Sequence, residues 1–143
     1  MKLNFDCIRD ILLCIEEHTG LRKMCSFIDI GLDDRMEQIG KILLPQDYQK
    51  ELLNVYSNEE IIYHLNYCIE AKLISEFNQS TPYQIIICDL TPDGHSFLND
   101  IRDNKIWSGV KKVSSEIGAR SIDAITRISS NIVTQLIKSY FNL

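Results

Sequence analysis

The stretch 56–103, YSNEEIIYHLNYCIEAKLISEFNQSTPYQIIICDLTPDGHSFLNDIRD, decides the fold. Ser57 followed by Glu60 is a capping box: the hydroxyl takes the amide of residue 60, and the carboxylate reaches back to the amide of Ser57. Tyr56 and Ile61 stand at the staple positions around that cap. Ile61, Ile62, Leu65, Cys68 and Ile69 then repeat at helical spacing through Lys72. Period-two patterns follow at 73–77 and 84–90, joined by the polar segment 78–83, which has the composition of a hairpin turn. Thr91 caps a second helix with Pro92 at its first position, where a missing amide has no consequence, and Phe97, Leu98 and Ile101 give it a core face.

Working outward, residues 4–19 read as a helix capped by Asn4 and ended by Gly20, with Ile8, Ile11, Leu12 and Ile15 on one side. Segment 21–56 is less legible. Phe27-Ile28-Asp29-Ile30 is compatible with a strand or a helix start, 33–44 has helical character (Met36, Ile39, Ile42, Leu43) closed by Pro45, and 46–55 fits a short helix. Beyond 103, Ile106, Trp107 and Val110 continue a helical pattern, Gly118 interrupts it, and Ser121 caps a last helix with Ile122, Ile125, Ile132, Leu136 and Tyr140.

A chain of 143 residues with 45% hydrophobic and 24% charged residues fits one soluble globular domain able to bury a core without staples. The absence of a long apolar run or secretion signal makes a cytoplasmic location the expectation. Charge is uneven: residues 1–101 hold 8 basic and 17 acidic side chains, residues 102–143 hold 7 and 3. An acidic body with a basic arm invites docking of one on the other, within or between chains. Five cysteines (Cys7, Cys14, Cys25, Cys68, Cys88) lack paired spacing or a nearby His pair, so they read as buried thiols rather than metal ligands.

The fold class expected is mainly α with a small β-hairpin (α+β), a winged-helix-like domain with a C-terminal helical extension. The expected organisation is one domain over 1–143, with a core at 4–103 and the extension at 104–143. Three segments also resemble an uncharacterised family of small bacterial and prophage-encoded proteins, a domain of unknown function (family 2513). They are Asp6-Cys7-Ile8-Arg9-Asp10-Ile11-Leu12-Leu13, then Glu60-Ile61-Ile62-Tyr63-His64-Leu65 through Glu70-Ala71, then Leu90-Thr91-Pro92-Asp93-Gly94-His95-Ser96-Phe97-Leu98 with Ile101-Arg102-Asp103. Trp107 also falls where that family tends to carry Trp. The resemblance implies a winged-helix-like fold and no established activity or substrate. The family usually has Gly where this chain has Lys72; if that position is left-handed, Lys there costs about 1 kcal/mol relative to Gly.

Such a module holds one helix and one hairpin against a partner. The candidate binding face of the 58–72 helix is Tyr63, Asn66, Tyr67 and Glu70, with His64 at its flank beside Glu59, and the candidate wing is Asn78, Gln79 and Ser80. For DNA, Asn66 could pair with adenine and Tyr63 reach a phosphate. Lys105, Lys111 and Lys112 are the candidate phosphate contacts. Against it, Glu59, Glu60 and Glu70 repel a backbone, and the loop 78–83 carries no Lys or Arg. For a protein partner, Tyr63 and Tyr67 four apart make a tyrosine-bearing face edged with Glu, and Tyr is enriched in interface hot spots. His18, His64 and His95 are scattered without a nucleophile motif, so no catalytic residue, metal site or cofactor is expected. The function expected is non-enzymatic binding. A DNA-associated regulator of a prophage or bacterial locus ranks marginally first. The alternative is a protein-interaction adaptor self-associating through its C-terminal helix.

Overall fold

The computed structural model describes residues 1–32, 44–77, 81 and 83–142. The helical reading of Met36, Ile39, Ile42 and Leu43 lies outside them. The chain packs as two compact units, Met1–Pro92 and Asp93–Leu143.

In the first unit, α1 spans Phe5–His18, and the Asn4 side chain accepts from the Cys7 amide as expected. Its apolar stripe, Ile8, Ile11, Leu12 and Ile15 with Cys7 and Cys14, is buried, each large side chain contributing about 1.5–3 kcal/mol relative to exposure. Thr19 leaves the helix in an extended conformation, and a Gly20–Lys23 turn feeds β1, Cys25–Ile28. The ambiguous 27–30 segment therefore supplies a strand, followed by a 3-10 turn at Ile30–Leu32. Helix α2 is Asp47–Leu53 and α3 is Asn58–Glu70. Strands β2, Ile74–Glu76, and β3, Gln84–Leu90, complete an antiparallel sheet in the order β1-β3-β2, so the expected hairpin is part of a three-stranded sheet. Ile85 and Ile87 point from β3 into the core under α1, and β-branched residues suit that half-buried pleat.

The free edge of β1 is closed by side chains instead of a fourth strand. Tyr48 Oη accepts from the Ser26 amide at 2.8 Å and donates to its carbonyl at 2.9 Å. One residue on, Gln49 does the same for Ile28. An exposed row of unpaired amides is a template for aggregation, and α2 removes it.

At the other end of α3, Lys72 has φ 60, which is left-handed. The Lys72 amide donates to the Ile69 carbonyl and the Leu73 amide to the Cys68 carbonyl, the paired bonds of a Schellman stop. Buried Leu73 and Cys68 form its apolar closure. The strain expected of Lys at this position is therefore present, and the Thr91 hydroxyl donates to the Lys72 carbonyl at 2.6 Å.

In the second unit, α4 spans Pro92–Ile101, α5 Asn104–Ile117 and α6 Ile122–Tyr140. Asp103 caps α5 through the Lys105 and Ile106 amides, and left-handed Gly118 ends it. Ser121 caps α6, as expected. Helices α5 and α6 pack on each other, burying Trp107, Val110, Ile125 and Ile128. No helix among the described residues is long and apolar enough to cross a membrane.

Candidate functional site: the outward face of α3

Helix α3 is held at its start by the capping box that the sequence spells. The Glu60 amide donates to Ser57 Oγ at 3.1 Å, and the Ser57 amide donates to Glu60 Oε1 at 3.2 Å. The Ser57 amide, chief among several contacts, holds the Glu60 carboxyl below its ordinary value. The second carboxylate oxygen accepts from Asn4 Nδ2 at 3.4 Å, tying the starts of α1 and α3 together.

His64 strengthens that tie and departs from its expected place flanking the binding face. It is fully buried. The Asn4 amide donates to His64 Nε2 at 2.9 Å, and Nδ1 lies 2.7 Å from the Glu60 carbonyl. An amide can only donate, so Nε2 accepts and the ring hydrogen sits on Nδ1. His64 therefore anchors the helix and is not available to a partner. Its spacing carried the signal, three after Ile61 and four before Cys68 on the buried stripe.

The outward stripe is Glu59, Tyr63, Asn66 and Glu70, at spacings of four, three and four. Glu59, Asn66 and Glu70 are exposed, Tyr63 is 41% exposed, and Tyr67 is half-buried. Tyr63 stands edge-on to the buried His64 ring, with centroids 5.3 Å apart, while part of the side chain stays open to solvent.

Beside this stripe lies an open groove of about 440 Å³, lined by Asp29, Gly31, Asn58, Glu59, Ile62, Tyr63 and Asn66. Asn58, at the first position of α3, builds its floor. Its Oδ1 accepts from the Ile30 amide at 3.2 Å, and its Nδ2 donates to Asp29 Oδ1 at 2.8 Å. The same Asp29 oxygen accepts from the Gly31 amide at 3.0 Å, an Asx turn. A Cβ on Gly31 would sit 3.2 Å from Asp29 Oδ1 and 3.3 Å from Asn58 Nδ2, so glycine lets this junction close. Sequence reading missed Asp29, Gly31 and Asn58; the Asp-x-Gly turn was its one local signal.

The groove thus combines two carboxylates, a tyrosine, two asparagines and an isoleucine, and among the described residues none that lines it is basic. Lys72 is exposed at the far end of α3. The wing residues Asn78, Gln79 and Ser80 lie outside the described residues. Lys105, Lys111 and Lys112 are exposed on α5 in the second unit, with Lys111 Nζ 5.8 Å from the Trp107 ring centroid. Lys105 and Lys112, seven residues apart, share one side of that helix.

Elsewhere in the first unit, an open groove of about 270 Å³ between α1 and α2 holds Cys14, His18 and Tyr48 with Asp10, Glu17 and Glu51. His18 Nδ1 lies 2.8 Å from the Cys14 carbonyl and 3.9 Å from its sulfur, and its ring sits 4.4 Å from that of Tyr48. Burial pushes the Cys14 thiol up to about 12, as it does those of Cys7, Cys25 and Cys68. Such thiols are inert packing groups at neutral pH. No group of three or more potential metal ligands converges among the described residues.

A relative from Haemophilus influenzae, described only as an uncharacterized protein, is 27% identical over 140 residues, covering 96% of this chain and 99% of the relative. No solved structure matches the chain. The model of a family described as "Hypothetical protein (DUF2513)" matches residues 2–120, which include every lining residue of the α3 groove and end before α6. The chain belongs to the DUF2513 family.

Proposed function

We propose that this chain is a non-enzymatic binding module of winged-helix type that docks a protein partner on the outward face of α3. The winged-helix reading rests on element order. A first helix and edge strand are followed by α2 and α3, joined through residues 54–57, and then by a hairpin whose second strand pairs with β1. In that arrangement α3 is the helix presented to a partner.

The groove beside α3 carries the choice of partner. Asp29 and Glu59 border Tyr63 and Asn66 there, and among the described residues no cation lines it. Phosphate binding draws its affinity from Lys and Arg, and this surface would repel it. A partly exposed tyrosine packed against a buried ring is the residue type on which protein interfaces concentrate energy. The inert thiols speak for binding rather than nucleophilic chemistry.

DNA-associated regulation is the second reading, favoured by the same element order and by Asn66, which is exposed where an adenine edge would be read. Lys105, Lys111 and Lys112 would then supply phosphate contacts.

A photoreactive phenylalanine analogue at position 63, activated in the native cell, tests the proposal. Cross-links to one polypeptide, lost when Glu59 and Asn66 are both replaced by Ala, are the expected result. Cross-links to nucleic acid would overturn it in favour of the second reading.

A further inference from the structure

The C-terminal part of α6 carries more apolar surface than its own unit covers. Its N-terminal half is buried at Ile125, Ile128 and Ser129, where it packs on α5. Further along, Leu136 is 51% exposed, Ile137 52%, Tyr140 82% and Phe141 63%. At 3.6 residues per turn, Ile132, Leu136, Tyr140, Val133 and Ile137 fall within an arc of about 140°. A helix that only completes a core needs an arc of about 100°. The surplus lies on the Ile137–Tyr140 side, where both side chains are open to solvent.

We infer that this end of α6 is the interface of a homodimer, in which the Leu136–Ile137–Tyr140–Phe141 surface of one copy covers that of the other. Two observations select a second copy as the occupant. One is charge: in a two-fold contact each patch meets an identical patch, so any charge within it faces its own sign. From residue 128 to 142 the only charged side chain is Lys138, about 100° round the helix beyond Ile137, and the remaining polar residues are Ser, Asn, Thr and Gln. A helix made for a lipid surface would carry several Lys or Arg along its polar side, and a helix made for a charged partner would carry the opposite charge.

The other observation is area. An aromatic side chain buries roughly 150–250 Å², so the four open side chains offer on the order of 500 Å² per chain. A two-fold pair then buries about 1,000 Å², the level at which a specific interface holds. The inference is independent of what binds α3.

Sedimentation equilibrium of the full chain at micromolar concentration tests it, beside Ile137→Glu/Tyr140→Glu and the single Tyr140→Glu. The wild type is expected at twice 16.5 kDa. The double variant is expected at the monomer mass, its dimer weakened at least about 100-fold, with an unchanged far-UV spectrum and melting curve. Tyr140→Glu, at a position too open to matter for folding, should weaken the dimer in the same direction. A monomeric wild type would overturn the inference, as would variants that remain dimeric. A monomer that floats with phosphatidylcholine vesicles would assign the surface to lipid instead.

Discussion

Gln49 hydrogen-bonds both backbone groups of Ile28: its Nε2 donates to the carbonyl at 2.6 Å and its Oε1 accepts from the amide at 2.9 Å. The glutamine is fully buried, so neither backbone group has water to fall back on. Replacing it by Met keeps the volume and orphans both groups, at roughly 1–3 kcal/mol each. Gln49→Met should therefore lower unfolding stability by about 2–6 kcal/mol, read as a lower urea midpoint at unchanged slope. A loss under about 0.5 kcal/mol would mean that β1 does not depend on α2.

Lys72 is the opposite case, a position where the native residue is not the most stable one. Its φ of 60 is open to glycine without Cβ strain. Lys72→Gly should stabilise the fold by about 1 kcal/mol, raising Tm by about 4 °C, while Lys72→Ala should not. Equal effects of the two variants would show that backbone strain is not the cause.

Adjacent residues 63 and 64 should respond in opposite ways. Tyr63→Ala removes an open ring and should change stability by less than about 1 kcal/mol. His64→Ala leaves the Asn4 amide and the Glu60 carbonyl without their partner and opens a cavity, so it should cost about 2–4 kcal/mol. Similar losses from both would place Tyr63 in the core and remove the proposed binding face.

Acid should act on the start of α3. The folded-state pKa of Glu60 is lowered from 4.5, chiefly by the Ser57 amide, so its charge stabilises the fold above that value. That contribution is lost as pH falls through the lowered pKa. Glu60→Gln keeps a capping-box side chain without the charge, so wild type and variant should differ near neutral pH and converge as pH falls from 4.5 through the lowered folded value. Asp100 has the reverse sign: burial raises its folded pKa above 3.8, so its charge opposes folding at neutral pH. Asp100→Asn should stabilise there and lose its advantage as pH falls through the raised folded pKa towards 3.8. Denaturant midpoints across pH 3–7 read both effects, and a constant Glu60→Gln difference over that range would contradict the assignment.

Local chemistry made much of this fold legible. The Ser57–Glu60 box, the Asn4 cap and the span of β3 each depend on a few neighbouring residues, whereas the left-handed strain at Lys72 was signalled only by the glycine that the resembling family carries there. The place of β1 had no local signal, because a run of four strand residues is indistinguishable from a helix start until β3 pairs with it. Tyr48 and Gln49 read as ordinary polar residues of a short helix, and only tertiary packing turns them into an edge cap. The proposed binding face divides the same way. Helical spacing placed Tyr63, Asn66 and Glu70 outward, whereas Asp29 reaches them through a turn about thirty residues upstream in sequence. His64 was misplaced because a polar residue on an apolar stripe was read by its type and not by its position.

The claim that matters most is that this surface takes protein and not phosphate. Fluorescence anisotropy of the full chain against random-sequence duplex DNA, titrated from low to physiological salt, tests it most directly. The protein-partner reading requires no binding even at low salt. Binding that weakens steeply as salt rises would contradict it, and would assign Lys105, Lys111 and Lys112 to the DNA backbone.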